Sequence, residues 1–194
     1  FIGTTDLICA SNVICHIPDL NNLIESVDLL LSKNGTFIFE EPYLGSMFEK
    51  TSYDQIYDEH IFMFSAYSIK KIFEKYKLHL IDAIPQVTHG GSMRYILKRT
   101  DHEKSKNLEK VFDYENKKNL NRIQSCLEFK KNCEISKEKI LNKIIAYKDA
   151  GKSICGYAAT SKSTTILNYC NIDTKYIDYI CDTTKEKIGK YSPG

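Results

Sequence analysis

A chain of 194 residues with 42% hydrophobic and 11% aromatic content can bury a real core, as one sizeable domain or two small ones. Its 27 basic and 25 acidic residues leave a formal charge of +2, which gives no electrostatic case for a nucleic-acid or membrane-surface partner. No apolar run approaches the roughly 18 residues of a membrane span and no signal-peptide pattern opens the chain, so the expected compartment is the cytoplasm.

The elements follow in chain order. Residues 5–10, TDLICA, form a short apolar run that predicts a buried parallel strand. In PDLNNLIESVDLLLSKNG, Leu20, Leu23, Ile24, Val27, Leu30 and Leu31 recur at helical spacing; Pro18 and Asp19 supply a start and Asn34-Gly35 a stop. TFIFEEP then reads as a second strand ending at Pro42, which completes a βαβ unit and implies a parallel pair. A polar loop and a helix near Tyr67–Tyr76 come next. LHLIDAIPQVTHGGSMRYILKR reads as two antiparallel strands, around 78–84 and 93–99, joined through Gly90-Gly91.

From Asp101 to Ala150 the composition shifts to Lys, Glu and Asn with spaced apolar residues, predicting one or two amphipathic connecting helices. No a/d register persists over three heptads, which argues against a coiled coil. After Gly151, KSICGYAA predicts a strand, Ser161 to Asn171 a helix, and KYIDYICD another strand, the start of a second βαβ unit. The chain begins at Phe1 inside a strand pattern and stops at a turn signal, so it reads as a fragment. Seven scattered cysteines (Cys9, Cys15, Cys126, Cys133, Cys155, Cys170, Cys181) contain no C-x-x-C pair; free, mostly buried thiols are expected, with no metal site built from this chain.

Five stretches carry candidate chemistry. ASNVICHIPDL lies where a parallel strand meets its helix, the place where open α/β sheets bind ligands. It sets Asn12 and His16 at that rim, although a turn cap and an ordinary loop imidazole explain them too. EEPYLG brings Glu40 and Glu41 to the same edge; alternation lets at most one face a shared pocket, leaving the other solvated. YDQIYDEH, residues 53–60, packs two tyrosines, three acids and a histidine into eight positions. Histidine, with an unperturbed pKa of about 6.5, is the natural proton acceptor there, and the Glu59 carboxylate could orient the His60 ring. A polar turn anchored by Phe62 and Phe64 is the competing view.

HGGSMR, 89–94, sets His89 and Arg94 beside two glycines, suited either to an anion or to a hairpin needing positive φ. GYAATSKST, 156–164, nearly matches the phosphate loop G-x-x-x-x-G-K-[ST], with Ser161 in place of the second glycine. A loop that contacts phosphate without cleaving it and a hydroxyl-rich helix cap both stay open.

Together, NVICHIPDL, EEPYLG, YDQIYDEH, HGGSMR and GYAATSKSTTILNYC, in this order and spacing, resemble the S-adenosylmethionine-dependent sugar C-methyltransferases. The resemblance runs through nearly the whole chain. It implies an α/β fold: the second half of a class I, Rossmann-like methyltransferase sheet (1–100), a helical connector (101–150) and the first part of a Rossmann-like substrate-binding domain (151–194). In such proteins a small zinc domain and the glycine-rich cofactor turn come earlier than anything in this sequence, so zinc is expected only there.

The family's Y-x-E-H motif falls on Tyr57, Asp58, Glu59 and His60, implying His60 as general base with Glu59 and Tyr57 beside it and His16 as a further catalytic group. By the same resemblance Asn12 and Val13 face S-adenosylmethionine. His89, Arg94, Tyr157, Thr160, Ser161 and Lys162 lie toward a nucleotide-diphosphate sugar substrate. The chain departs from the family at AATSKST, where members often carry Gly-Ala-Pro-Ala-Lys-Gly, and its phosphate contacts are correspondingly less defined. The competing functions are an O- or N-methyltransferase on the same half-sheet, a nucleotide-binding module around Lys162, and a helical scaffold built on 101–150.

Overall fold

The computed structural model describes residues 1–100 and 103–193; Asp101 and His102, at the head of the expected connector, and Gly194 lie outside the described residues. The chain divides into two compact units. One comprises Phe1–Lys50 with Glu59–Cys126, the other Thr51–Asp58 with Leu127–Gly194. The division passes through the octapeptide, assigning Tyr57 to the second unit and Glu59 and His60 to the first.

The first unit is a mixed four-stranded sheet in the order β1-β2-β4-β3, with β1 Thr5–Ser11, β2 Leu31–Pro42, β3 His79–Gln86 and β4 Ser92–Lys98. The β1–β2 pair is parallel and the β3–β4 pair antiparallel, as the βαβ and hairpin patterns predict, and β4 also runs antiparallel to β2. Helix α1, Leu20–Leu30, starts where expected because the Asp19 carboxylate accepts the Asn22 N–H at 3.0 Å. It ends earlier than expected. Leu31 already belongs to β2, and Gly35 sits inside that strand, where a Cβ would meet the Leu31 side chain at 2.7 Å and the Thr5 carbonyl oxygen at 2.9 Å.

Nor is β1 buried. Among the described residues it pairs along one edge only, and Leu7 is 56% exposed. The core lies on the other strands, where Phe37, Phe39, Tyr95 and Leu97 meet Phe73 of α3, Ala66–Glu74. The Phe39 ring lies 5.6 Å from Phe73 and 5.1 Å from Tyr95 between centroids. The short helix α2, Leu44–Lys50, follows β2 directly.

Two helices occupy the lysine-rich stretch, α4 at Lys106–Lys117 and α5 at Ile123–Asp149. Glu115 of α4 is 4% exposed and closes the N-terminus of α3, accepting the Ala66 and Tyr67 N–H groups at 2.6 and 3.0 Å and the Tyr43 hydroxyl at 3.0 Å. Burial still pushes its carboxyl above the usual range, the three donors opposing it.

In the second unit, β5 Cys155–Tyr157 and β6 Tyr179–Cys181 pair in parallel around α6, Ser161–Cys170. Each strand is three residues long, shorter than KSICGYAA and KYIDYICD suggest. All seven cysteines are free thiols, but only Cys15, Cys133 and Cys170 are buried. The expectation of mostly buried thiols fails because Cys9 lies on the open face of the edge strand, and Cys155 and Cys181 occupy outward positions of a two-stranded sheet. Among the described residues no helix is long and apolar enough to cross a membrane.

Candidate active site

Where β1 and β2 end together, Ser11 stands opposite Glu40. The chain then turns sharply at Asn12, whose φ of 53° places it in the left-handed region that Asn tolerates. A single 3-10 turn, Ile14–His16, leads toward α1. That turn is held from beneath by Glu41. Strand alternation puts Glu41 on the same face as Phe37 and Phe39, and it is fully buried. Its Oε1 accepts the Val13 N–H at 3.0 Å and the Ile14 N–H at 2.7 Å, while Oε2 is buried with no hydrogen-bond partner.

Glu40 points the other way, where Thr88 donates to it at 2.7 Å and Arg94 pairs with it at 3.0 Å across the β2–β4 ladder. Neither glutamate is the solvated residue expected of the pair. The sequence named both glutamates without deciding which turns inward, although the signal was present: Phe37, Phe39 and Glu41 share one parity in TFIFEEP.

The same turn captures the segment carrying His60. The Cys15 carbonyl accepts the N–H groups of Ile61 at 3.0 Å and Phe62 at 3.3 Å. His16 Nδ1 lies 2.7 Å from the Glu59 carbonyl oxygen. A carbonyl can only accept, so Nδ1 carries the proton and Nε2 holds the lone pair of the neutral ring. The imidazoles of His16 and His60 stand 5.1 Å apart between centroids at an interplanar angle of 57°, both half-buried. Glu59 therefore contributes its main-chain oxygen here, and its side chain is exposed rather than turned under the ring.

Beneath the two rings the Cys15 thiol is 1% exposed, pushed well up by burial first and by the Glu41 carboxylate next. Cys15 Sγ and ring nitrogens of His16 and His60 form one cluster of donor atoms, all within 4.8 Å of one another, although sequence spacing gave no sign of metal-ligand geometry.

Asn12 and Val13 flank this cluster on the β1 side. Val13 is 46% exposed, and the Asn12 side chain donates to Ser11 while its buried Oδ1 has no partner. His89 stands on an exposed turn at a φ of 50°, followed by Gly91, where a Cβ would meet Ser46 at 2.4 Å. Positive φ and close packing explain the glycine pair. The Arg94 guanidinium is already bonded to Glu40.

In the second unit the loop after β5 satisfies itself. Thr160 caps α6 through a reciprocal bond with Ser163. The Ala158 N–H goes to the Cys181 carbonyl at 2.7 Å, and the Ala159 N–H to Asp182 Oδ2 at 2.7 Å. The Thr184 amide, then that of Ala159, and Lys187 at 3.5 Å hold the Asp182 carboxyl well below the usual range. A carboxylate in this position opposes a triphosphate, so the geometry favours the helix-cap reading of 160–164 over a nucleotide-hydrolysing one. Ser161 is exposed, Lys162 half-buried, and Tyr157 81% exposed.

The mixed sheet with its strand-end rim defines an α/β domain of methyltransferase type, and residues 2–83 match the family described as methyltransferase domain. Residues 87–194, more than half of the chain, match the family described as C-methyltransferase C-terminal domain, and the chain belongs to that C-methyltransferase family. It is 28% identical over 194 residues to the C-methyltransferase NovU of Streptomyces niveus, an alignment covering 99% of this chain and 46% of NovU, so the chain spans about half the length of this curated relative. A chain from the solved complex of the Haloferax volcanii Trm112 methyltransferase activator with a methyltransferase superposes with a TM-score of 0.42 at 14% identity, covering 54% of this chain and 57% of that one.

Proposed function

We propose that the protein to which this chain belongs transfers a methyl group from S-adenosylmethionine to a carbon of a nucleotide-diphosphate keto-deoxysugar, with His60 as general base. The observation that carries this reading is the clamp that sets two imidazoles side by side at a strand-end rim, one with its Nδ1–H fixed. A carbon beside a ketone becomes a nucleophile only when its proton is removed, and an imidazole within about 3 Å of that proton can take it. His16, packed beside His60, accepts a hydrogen bond from a substrate hydroxyl at Nε2, and Tyr57 donates toward the enolate oxygen formed when His60 abstracts the proton. Glu59 acts by holding His16 through its carbonyl.

S-adenosylmethionine supplies the electrophilic methyl group. The residues here that would hold it are Asn12 and Val13; the buried, partnerless Oδ1 of Asn12 fits a ligand hydroxyl or amine. Substrate contacts are assigned to His89, Arg94, Tyr157, Thr160, Ser161 and Lys162. In this scheme residues 1–100 are the C-terminal half of the methyltransferase domain, 101–150 its connector and 151–194 the opening of the substrate-binding domain, in a cytoplasmic enzyme.

The test is His60→Ala in the full-length enzyme. Methyl transfer to the sugar carbon is expected to fall by about 10²–10⁴-fold, the usual worth of a positioned base, with cofactor affinity retained in a calorimetric titration. Undiminished turnover would remove His60 from this role, and a methylated hydroxyl as product would assign the chain to oxygen chemistry instead.

A further inference from the structure

We propose that Cys15, His16 and His60 form a binding site for a thiophilic divalent cation, Zn²⁺ above all, and that the bound metal inhibits the enzyme by occupying the lone pair of its base. One thiol sulfur and one nitrogen from each of two imidazoles lie within 4.8 Å of one another. A tetrahedral zinc site with bonds of about 2.0–2.3 Å brings such donors to roughly 3.4–3.6 Å, so side-chain movements of about an ångström close the cluster.

The surroundings already have the form of a metal site. His16 donates Nδ1–H to the Glu59 carbonyl at 2.7 Å, the kind of outer contact that fixes a ligating imidazole and leaves the lone pair on Nε2. The Cys15 sulfur sits at the buried base and the two half-buried rings form the mouth, giving a cation a route in from the imidazole side. Behind the sulfur, Glu41 is fully buried, is paired with no lysine or arginine among the described residues, and keeps one oxygen without any hydrogen bond. A buried carboxylate without a counter-charge is costly, and a cation held by its neighbours supplies the missing charge.

Sulfur and imidazole donors select zinc or cobalt over magnesium or calcium. On binding, the Cys15 S–H proton passes to solvent, the metal gains one sulfur and two nitrogen bonds, and a fourth position stays open to water. His60 bonded in this way has no lone pair for a substrate proton. The inhibitory half of the proposal rests on His60 being the base; the binding half does not.

Cobalt is the probe. Titration of the 194-residue chain with Co²⁺ is expected to develop a thiolate-to-cobalt charge-transfer band that saturates at one equivalent and is displaced by Zn²⁺ but not by Mg²⁺. Cys15→Ser should lose the band. His60→Gln, which leaves the sulfur in place, should weaken cobalt binding at least about tenfold and serves if the serine variant does not fold. No band at one equivalent, a band that survives Cys15→Ser, or an unchanged affinity in His60→Gln would each overturn the site. In the full-length enzyme, Zn²⁺ should suppress methyl transfer, and Cys15→Ser, compared with its own metal-free rate, should need about tenfold more. Zinc bound without inhibition would overturn the second half and argue against His60 as base, while leaving the site in place.

Discussion

The rim after β1 and the loop after β5 are made from the same parts, a parallel strand leading into a helix, yet they leave different groups available. At the first, a carboxylate from the neighbouring strand takes the main-chain N–H groups of Val13 and Ile14 from below, and the imidazoles of His16 and His60 stand 5.1 Å apart above it. At the second, Asp182, the Cys181 carbonyl and the loop's own hydroxyls take up the amides that a phosphate would need. A strand-to-helix junction is thus only a location. Its chemistry depends on which donors and acceptors the surrounding fold leaves unused.

Breaking the first junction should have the larger effect. Glu41→Leu preserves approximate volume but strands two N–H groups, and should lower stability by about 1–3 kcal/mol in urea unfolding; Glu41→Gln, which keeps an acceptor, should retain most of it. Equal losses in the two variants would mean that charge, not hydrogen bonding, holds the turn.

At the second junction Thr160→Ala removes the cap of α6 and should cost about 1 kcal/mol. If phosphate rather than the helix is what Thr160 serves, stability will stay level and only sugar-nucleotide affinity will drop.

The smallest effect sharpens the contrast through pH. The folded-state pKa of Asp182 is lowered, so its contribution is present above the unfolded value of about 3.9 and is lost as pH falls through that value toward the folded one. The stability difference between the wild type and Asp182→Asn should be level above about pH 5 and shrink below it, measured by denaturant unfolding across that range. A difference that persists unchanged into strong acid would show that the carboxylate's charge plays no part.

Much of this molecule was legible in its sequence because the forces concerned are local. The periodicity of Leu20, Leu23, Ile24 and Val27, the Asp19 cap and the alternation through TFIFEEP determined α1 and β2, and their order determined a parallel pair followed by a hairpin. The ordered motifs also sufficed to indicate the C-methyltransferase family. What misled was burial and extent: TDLICA looks interior, but only the sheet order reveals β1 as an edge, and Asn34-Gly35 looks like a stop until β2 is seen to run through it.

Only the tertiary structure decided how the rim is wired. Its decisive contacts join residues 43 apart, from His16 to Glu59, and 28 apart, from Val13 to Glu41. No helical or strand period relates such positions. Their meeting depends on how the sheet stacks its strands and where the chain returns, so residue types could nominate His16 and His60, while folding alone could set one ring beside the other and put Cys15 and Glu41 beneath them.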